Sequence, residues 1–171
     1  MTVNGLHPLL GRMLGERFRV DSFIREGGMA QVFCGSQMAE PQHVAIKVMH
    51  PELARDRKIA ARFAHEARLS SQLKHDGIVR IVAIGADKEP EQFEGAPLHY
   101  YVMELLFGDD LSARIKQRGA FSHARSVEIA IAVLHALTYA HGRGVVHRDI
   151  KPANIMLCRD PKRPLREIVK V

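Results

Sequence analysis

The stretch V145-V-H-R-D-I-K-P-A-N-I-M-L157 sets His147, Arg148, Asp149, Lys151, Pro152 and Asn154 between two apolar flanks. It follows a run, V127-E-I-A-I-A-V-L-H-A-L-T-Y-A140, in which apolar residues go almost all the way round a helix, a pattern that expects burial on most sides. Gly142-Arg-Gly144 stops that helix, and the polar cluster comes directly after it. Each polar residue suits a definite task. Asp149 can orient a hydroxyl and accept its proton. Lys151 can neutralise a phosphate. The amide oxygen of Asn154 is a hard ligand suited to Mg2+. Pro152 stiffens the turn.

Upstream, R17-F-R-V-D-S-F-I24 alternates, R25-E-G-G-M-A30 is a turn, and Q31-V-F-C-G-S36 is extended again. The turn at 39–42 leads to H43-V-A-I-K-V-M49. These segments predict an antiparallel meander. In the last strand Val44, Ile46 and Val48 point to one face, and Ala45 and Lys47 to the other. A helix is predicted over 54–74. Ile59, Glu66 and Leu73 are spaced by seven, which puts Glu66 on an inward line. A carboxylate there needs a cation, and Lys47 is the candidate. Paired glycines at 27 and 28 permit positive φ and let backbone N–H groups approach phosphate oxygens. No Gly-Lys-Ser/Thr follows, so the turn is not a Walker-type loop.

The remaining segments read as a strand at 77–87, an exposed loop at 88–97, a strand at 98–106 and a short helix at 111–118 stopped by Gly119. Ser122 is the expected N-cap of the helix running to His141. Residues 158–167 read as a basic, proline-containing loop, and I168-V-K-V171 as the start of a strand. Residues 1–16 read as a loose leader. Strands dominate the first hundred residues and helices the next forty, so two lobes of different class are expected, 17–106 and 107–171.

The chain has 171 residues and a formal net charge of +6, with cations spread rather than blocked and not interleaved with aromatics. That pattern speaks against nucleic-acid binding. Cys34 and Cys158 form neither a disulfide framework nor a zinc spacing, which suits reduced thiols in a cytoplasmic protein. No apolar run is long enough for a membrane segment, and the N-terminus lacks the layout of a signal peptide.

Taken in order, the Gly-Gly-Met turn, V44-A-I-K47, Glu66 and H147-R-D-I-K-P-A-N154 resemble the protein kinase family, most closely its bacterial Ser/Thr kinases of eukaryotic type. The resemblance covers roughly 17–171. It implies an α+β, bilobal fold: an N-lobe of antiparallel sheet plus one helix, and a helical C-lobe that is incomplete here. It implies ATP and Mg2+ as cofactors and a protein Ser/Thr hydroxyl as acceptor. Ile24, Gly27, Gly28, Met29 and Ala30 would form the lid over ATP, and Val32 and Ala45 would line the adenine pocket. Lys47, paired with Glu66, would hold the α- and β-phosphates. Met103 would be the gatekeeper, Glu104 and Leu106 would meet the adenine edge, and Met156 would floor it. Asp149 would be the catalytic base, Lys151 would steady the γ-phosphate, and Asn154 would bind the metal, with His147 as a packing residue. Arg148 beside Asp149 resembles kinases controlled by activation-loop phosphorylation.

Arg25 stands where the family's first loop glycine belongs, and Ala30 at its third. The family's Asp-Phe-Gly segment would follow I168-V-K-V171, so the chain is expected to be truncated before it and inactive or weakly active. The competing expectations are a pseudokinase-like regulatory module that docks a partner without catalysis, and a truncated product with no function of its own.

Overall fold

The computed structural model describes residues 7–39, 42–87, 97–160 and 163–171, with the side chains of 163–166 outside the description. The chain divides into two units: Met1–Ser71 with Ile81–Leu105, and Gln72–Arg80 with Leu106–Val171.

The first unit is a six-stranded antiparallel sheet with two helices. Its strands are β1 (Met13–Leu14), β2 (Phe18–Glu26), β3 (Ala30–Gln37), β4 (Gln42–Met49), β5 (Ile81–Asp87) and β6 (Leu98–Glu104), in the order β1-β2-β3-β4-β6-β5. The alternation in β4 works as expected. Val44, Ile46 and Val48 bury against Phe18, Val20, Phe33, Tyr100 and Val102 to form the main core. Across the other face, α1 (Pro51–Ala54) and α2 (Arg57–Ser71) pack Ala54, Ala60 and Phe63 onto Ala30 and Met49. Asp56 starts α2, its side chain accepting from the N–H groups of Lys58 (2.8 Å) and Ile59 (3.3 Å).

The stretch read as a leader is, from His7 onward, built into this unit. Leu9 and Leu14 lie in the main core, 2% and 0% exposed. Residues 11 and 12 exchange backbone hydrogen bonds with Val20, and β1 pairs with the start of β2. Leu9 and Leu14 are therefore core residues. The loop predicted at 88–97 lies outside the described residues except for Pro97.

The second unit holds a three-stranded sheet of β7 (Gly108–Asp110), β8 (Met156–Asp160) and β9 (Arg163–Lys170), with α3 (Leu111–Arg118) and α4 (His123–His141). Asp110 caps α3 by accepting from Ala113 N–H, and Gly119 ends it at φ 80. Ser122 caps α4 by accepting from Arg125 N–H. The basic loop expected at 158–167 is instead strand on both sides of residues 161–162, because β8 and β9 pair from Met156↔Lys170 to Asp160↔Arg163. Glu167 on β9 takes Arg114 of α3 at 3.0 Å and Arg125 of α4 at 2.8 Å, and Arg114 also holds Asp109 at 3.1 Å.

Residues 72–80 belong to this unit rather than to the strand-rich one. Leu73 and Ile78 pack on Ala136 and Ala140 of α4. The backbone of Gly77 and Val79 bonds to Val171, and the Tyr139 hydroxyl accepts from Lys74 N–H. Helix α4 buries Ile129, Val133, Ala136 and Ala140, while Val127, Ile131 and Leu134 of its all-round apolar pattern are exposed.

Candidate functional site

In the first unit, the strand register lines up one face of the sheet. Val32 pairs with Lys47 and Lys47 with Tyr101; Cys34 pairs with Ala45 and Ala45 with Met103. Pleating sends these side chains to the face opposite the main core. Val32 and Ala45 are buried there, and Lys47 is half-buried. Glu104 ends β6 opposite Val44.

The expected pairing of Lys47 with Glu66 is not formed. The Lys47 ammonium lies 5.4 Å from the centre of the Tyr101 ring, and Glu66 is exposed. The buried stripe of α2 is Ala60, Phe63 and Ala67, and Leu73 lies beyond the helix end. At 100° per residue the centre of that stripe is about 90° from Glu66. Small alanines carry the burial, so the line through Ile59 and Leu73 is not the inward one.

The turn between β2 and β3 is closed by Gly27 N–H donating to Ala30 C=O at 2.9 Å. Neither Gly27 nor Gly28 has positive φ. A Cβ at Gly28 would meet nothing within 4 Å and one at Gly27 only the Ala30 carbonyl at 3.4 Å, so the chain itself does not crowd the turn and its backbone is open to an approaching anion. Ile24 and Met29 are exposed beside it. The base of the hairpin is braced by His7, which hydrogen-bonds Gln31 at 3.0 Å and stacks on Phe23 and edge-on to Phe33. Burial in this pocket pushes the His7 imidazole below its ordinary value, with the Gln31 bond acting the other way.

In the second unit, the catalytic-type cluster is a tight knot. Arg148 adopts φ 64, a left-handed conformation that costs a non-glycine residue about 1–2 kcal/mol. Lys151 approaches Asp149 Oδ2 at 2.9 Å. The Asn154 amide nitrogen, on the 3-10 turn Pro152–Asn154, donates to Asp149 Oδ2 at 2.9 Å and to the Asp149 carbonyl at 2.8 Å. The bond from Lys151 first, and that from Asn154 second, hold the Asp149 carboxyl below the usual carboxylate range. His147 Nδ1 accepts from Asp149 N–H at 3.3 Å, and desolvation pushes its imidazole down against the pull of Asp149. It is exposed and serves the backbone at Asp149 rather than a packed core.

The Asn154 result bears on Mg2+. Its NH2 group is used up on Asp149, which leaves the amide oxygen turned the other way as a hard donor. That oxygen is of the kind Mg2+ takes, although among the described residues no group of three or more His, Cys, Asp or Glu side chains gathers to hold a metal. Met156 and Leu106 are half-buried, with Met156 opposite Asp110 in the β7–β8 pair.

Such a knot, an Asp held by Lys and Asn after a capped helix, has a family. The family model described as protein kinase domain matches residues 18–170. The chain belongs to the protein kinase family. Among curated relatives, the kinase chain is 36% identical to the serine/threonine-protein kinase pkn3 of Myxococcus xanthus, covering 95% of this chain and 28% of that one. It is 33% identical to the serine/threonine-protein kinase PknB of Mycolicibacterium smegmatis, covering 86% and 23%. Among solved structures, the Mycobacterium tuberculosis PknI kinase domain matches with TM-score 0.74 at 25% identity, covering 94% of this chain and 59% of that one. The chain thus spans about a quarter of the curated relatives' length. Its curated relatives are named Ser/Thr protein kinases, and the chain has the kinase α+β fold, with an antiparallel sheet in its first unit and α3 and α4 in its second. No helix among the described residues is long and apolar enough to cross a membrane.

Tyr101, His50 and His7 were not found by sequence reasoning. Tyr101 becomes a neighbour of Lys47 only through the β4–β6 register, which no local pattern encodes.

Proposed function

We propose that the chain carries out the nucleotide-binding and hydroxyl-activating part of phosphoryl transfer from Mg-ATP to a Ser or Thr hydroxyl of a protein. The observation that carries this is the state of Asp149. One carboxylate oxygen is committed to Lys151 and Asn154, and the hydrogen-bonded knot keeps the group ionised. The other oxygen is left to accept a hydrogen bond from an incoming hydroxyl and to take its proton as the new bond to the γ-phosphorus forms and the bond from that phosphorus to the β,γ-bridging oxygen breaks, releasing ADP. Lys151 stands beside that oxygen pair, where an ammonium offsets phosphate charge. The turn at Gly27–Ala30 offers backbone N–H donors to phosphate, and Lys47 supplies a half-buried cation on the face shared with Val32 and Ala45, which would take the adenine. Glu104, which ends β6, would offer backbone groups to its edge. Asn154 would hold a magnesium ion through its amide oxygen, and the ion would supply charge neutralisation to phosphate.

The test is transfer of labelled γ-phosphate to a general Ser/Thr acceptor protein, alongside Mg-ATP affinity. Lys47→Met is expected to weaken ATP binding, and Asp149→Asn to abolish transfer while leaving ATP binding within about twofold. Transfer that persists in Asp149→Asn refutes the assignment. A second reading, a regulatory module that binds without catalysis, is favoured by one observation: Glu66 is exposed and not paired with Lys47. Tight ATP binding with no transfer by the unaltered chain supports that reading.

A further inference from the structure

The glycine turn is tied to the far end of β4 by one residue. His50 directly follows β4, three positions after Lys47, and its ring Nε2 lies 2.8 Å from the Gly27 carbonyl oxygen. Because the partner is a carbonyl, Nε2 carries the proton and donates. The backbone N–H of the same residue donates to the Met29 carbonyl at 3.1 Å. The Glu26 carboxylate stands 3.8 Å from Nε2, and the His50 side chain is only 16% exposed. His50 is itself held. Pro51 restricts it to extended backbone, observed at φ -60 and ψ 132, and its carbonyl accepts from Leu53 and Ala54 N–H at the start of α1.

Both carbonyls drawn toward His50 belong to trans peptide units, in which C=O and N–H point in opposite directions. Fixing Gly27 C=O and Met29 C=O on His50 therefore turns the N–H groups of Gly28 and Ala30 away from it. Of the two, Gly28 N–H lies in the open, side-chain-free part of the turn and is the donor it has for phosphate oxygens, whereas Ala30 is 2% exposed in the cluster with Met49 and Phe63. We propose that His50 is a positioning residue that latches the Gly27–Met29 turn and, by holding the Gly27 carbonyl, aims the Gly28 N–H group at the phosphates of the nucleotide. This rests on the reading of the turn as a nucleotide lid.

The experiment uses the whole chain with His50→Ala and His50→Gln, the glutamine amide being able to donate to the same carbonyl. Amide hydrogen exchange at Gly27, whose N–H closes the turn on the Ala30 carbonyl, measured without nucleotide, is expected to quicken in His50→Ala and to return toward the original rate in His50→Gln. Affinity for Mg-ATP is expected to fall about five- to tenfold in His50→Ala, the worth of one lost hydrogen bond, while adenosine binds as before. His50→Gln is expected to recover most of the loss. Unchanged exchange at the turn in His50→Ala overturns the latch itself. Equal losses for adenosine and ATP overturn its aim at phosphate, since a merely structural defect would weaken both. If the unaltered chain fails to bind ATP while the exchange result holds, the latch stands as structure and the nucleotide reading of the turn falls.

Discussion

Replacing Leu14 tests whether the segment before β2 is a working part of the first unit. Leu14 sits on the two-residue strand β1, opposite Phe18, and is 0% exposed in the main core. Leu14→Ala removes about three methylene equivalents, which at about 0.8 kcal/mol each gives about 2.4 kcal/mol from transfer alone. The hole left behind raises the range to about 2–5 kcal/mol. Its neighbour Met13 points outward and is 37% exposed, so Met13→Ala is the internal control at about 0.5 kcal/mol or less. Native-state hydrogen exchange at Val44, Ile46 and Val102 reads the stability of this core without requiring the two units to unfold together. A loss of about 2.4 kcal/mol speeds their exchange about sixtyfold where it proceeds by unit-wide opening. If Leu14→Ala exchanges like Met13→Ala, the placement of residues 9–14 in the core is wrong.

Three more outcomes are expected. Gly85→Ala would drive a Cβ into the Tyr100 ring and hydroxyl, so it should cost about 1–3 kcal/mol, read as a lowered thermal midpoint that trimming residue 100 to Leu partly restores. Burial, reinforced by Asp87, pushes the Tyr100 hydroxyl up to about 12, so its contribution to stability is whole below about pH 10 and is lost as pH rises toward 12. Tyrosine absorbance against pH should therefore show a late ionisation that disappears in Tyr100→Phe. Lys151→Ala removes the largest influence lowering the Asp149 carboxyl, so that group should titrate closer to the ordinary carboxylate range by carbon NMR; no change would mean Lys151 does not face it in solution.

Much of this architecture is written locally. The alternation V44-A-I-K-V48 fixes which face of β4 is core, and Asp110, Gly119 and Ser122 mark helix ends by capping chemistry that acts within a few residues. The knot at Asp149 is legible for the same reason, since Lys151 and Asn154 reach it from two and five positions away. What was not legible depends on distant partners. Glu66 looked inward because seven-residue spacing weighs Ile59 and Leu73 equally, whereas the helix turns its alanines to the sheet and stops before Leu73. Leu9 and Leu14 looked like a loose apolar patch because only the folded sheet supplies their neighbours. Pro164 and the charges around it suggested a loop, yet β8 supplies a partner strand that local composition does not reveal.

The contact of residues 77–79 with the end of β9 carries a consequence for biosynthesis. The carbonyl of Ile78 meets Lys170, 92 positions on, and Gly77 and Val79 bond the backbone of Val171. At bacterial and eukaryotic rates of translation, that partner leaves the ribosome on the order of 5–20 s after the segment it secures. Until Ala136 and Ala140 of α4 emerge, Leu73 and Ile78 are apolar residues waiting for a surface. A nascent chain paused between residues 80 and 130 is accordingly where a chaperone would find its grip.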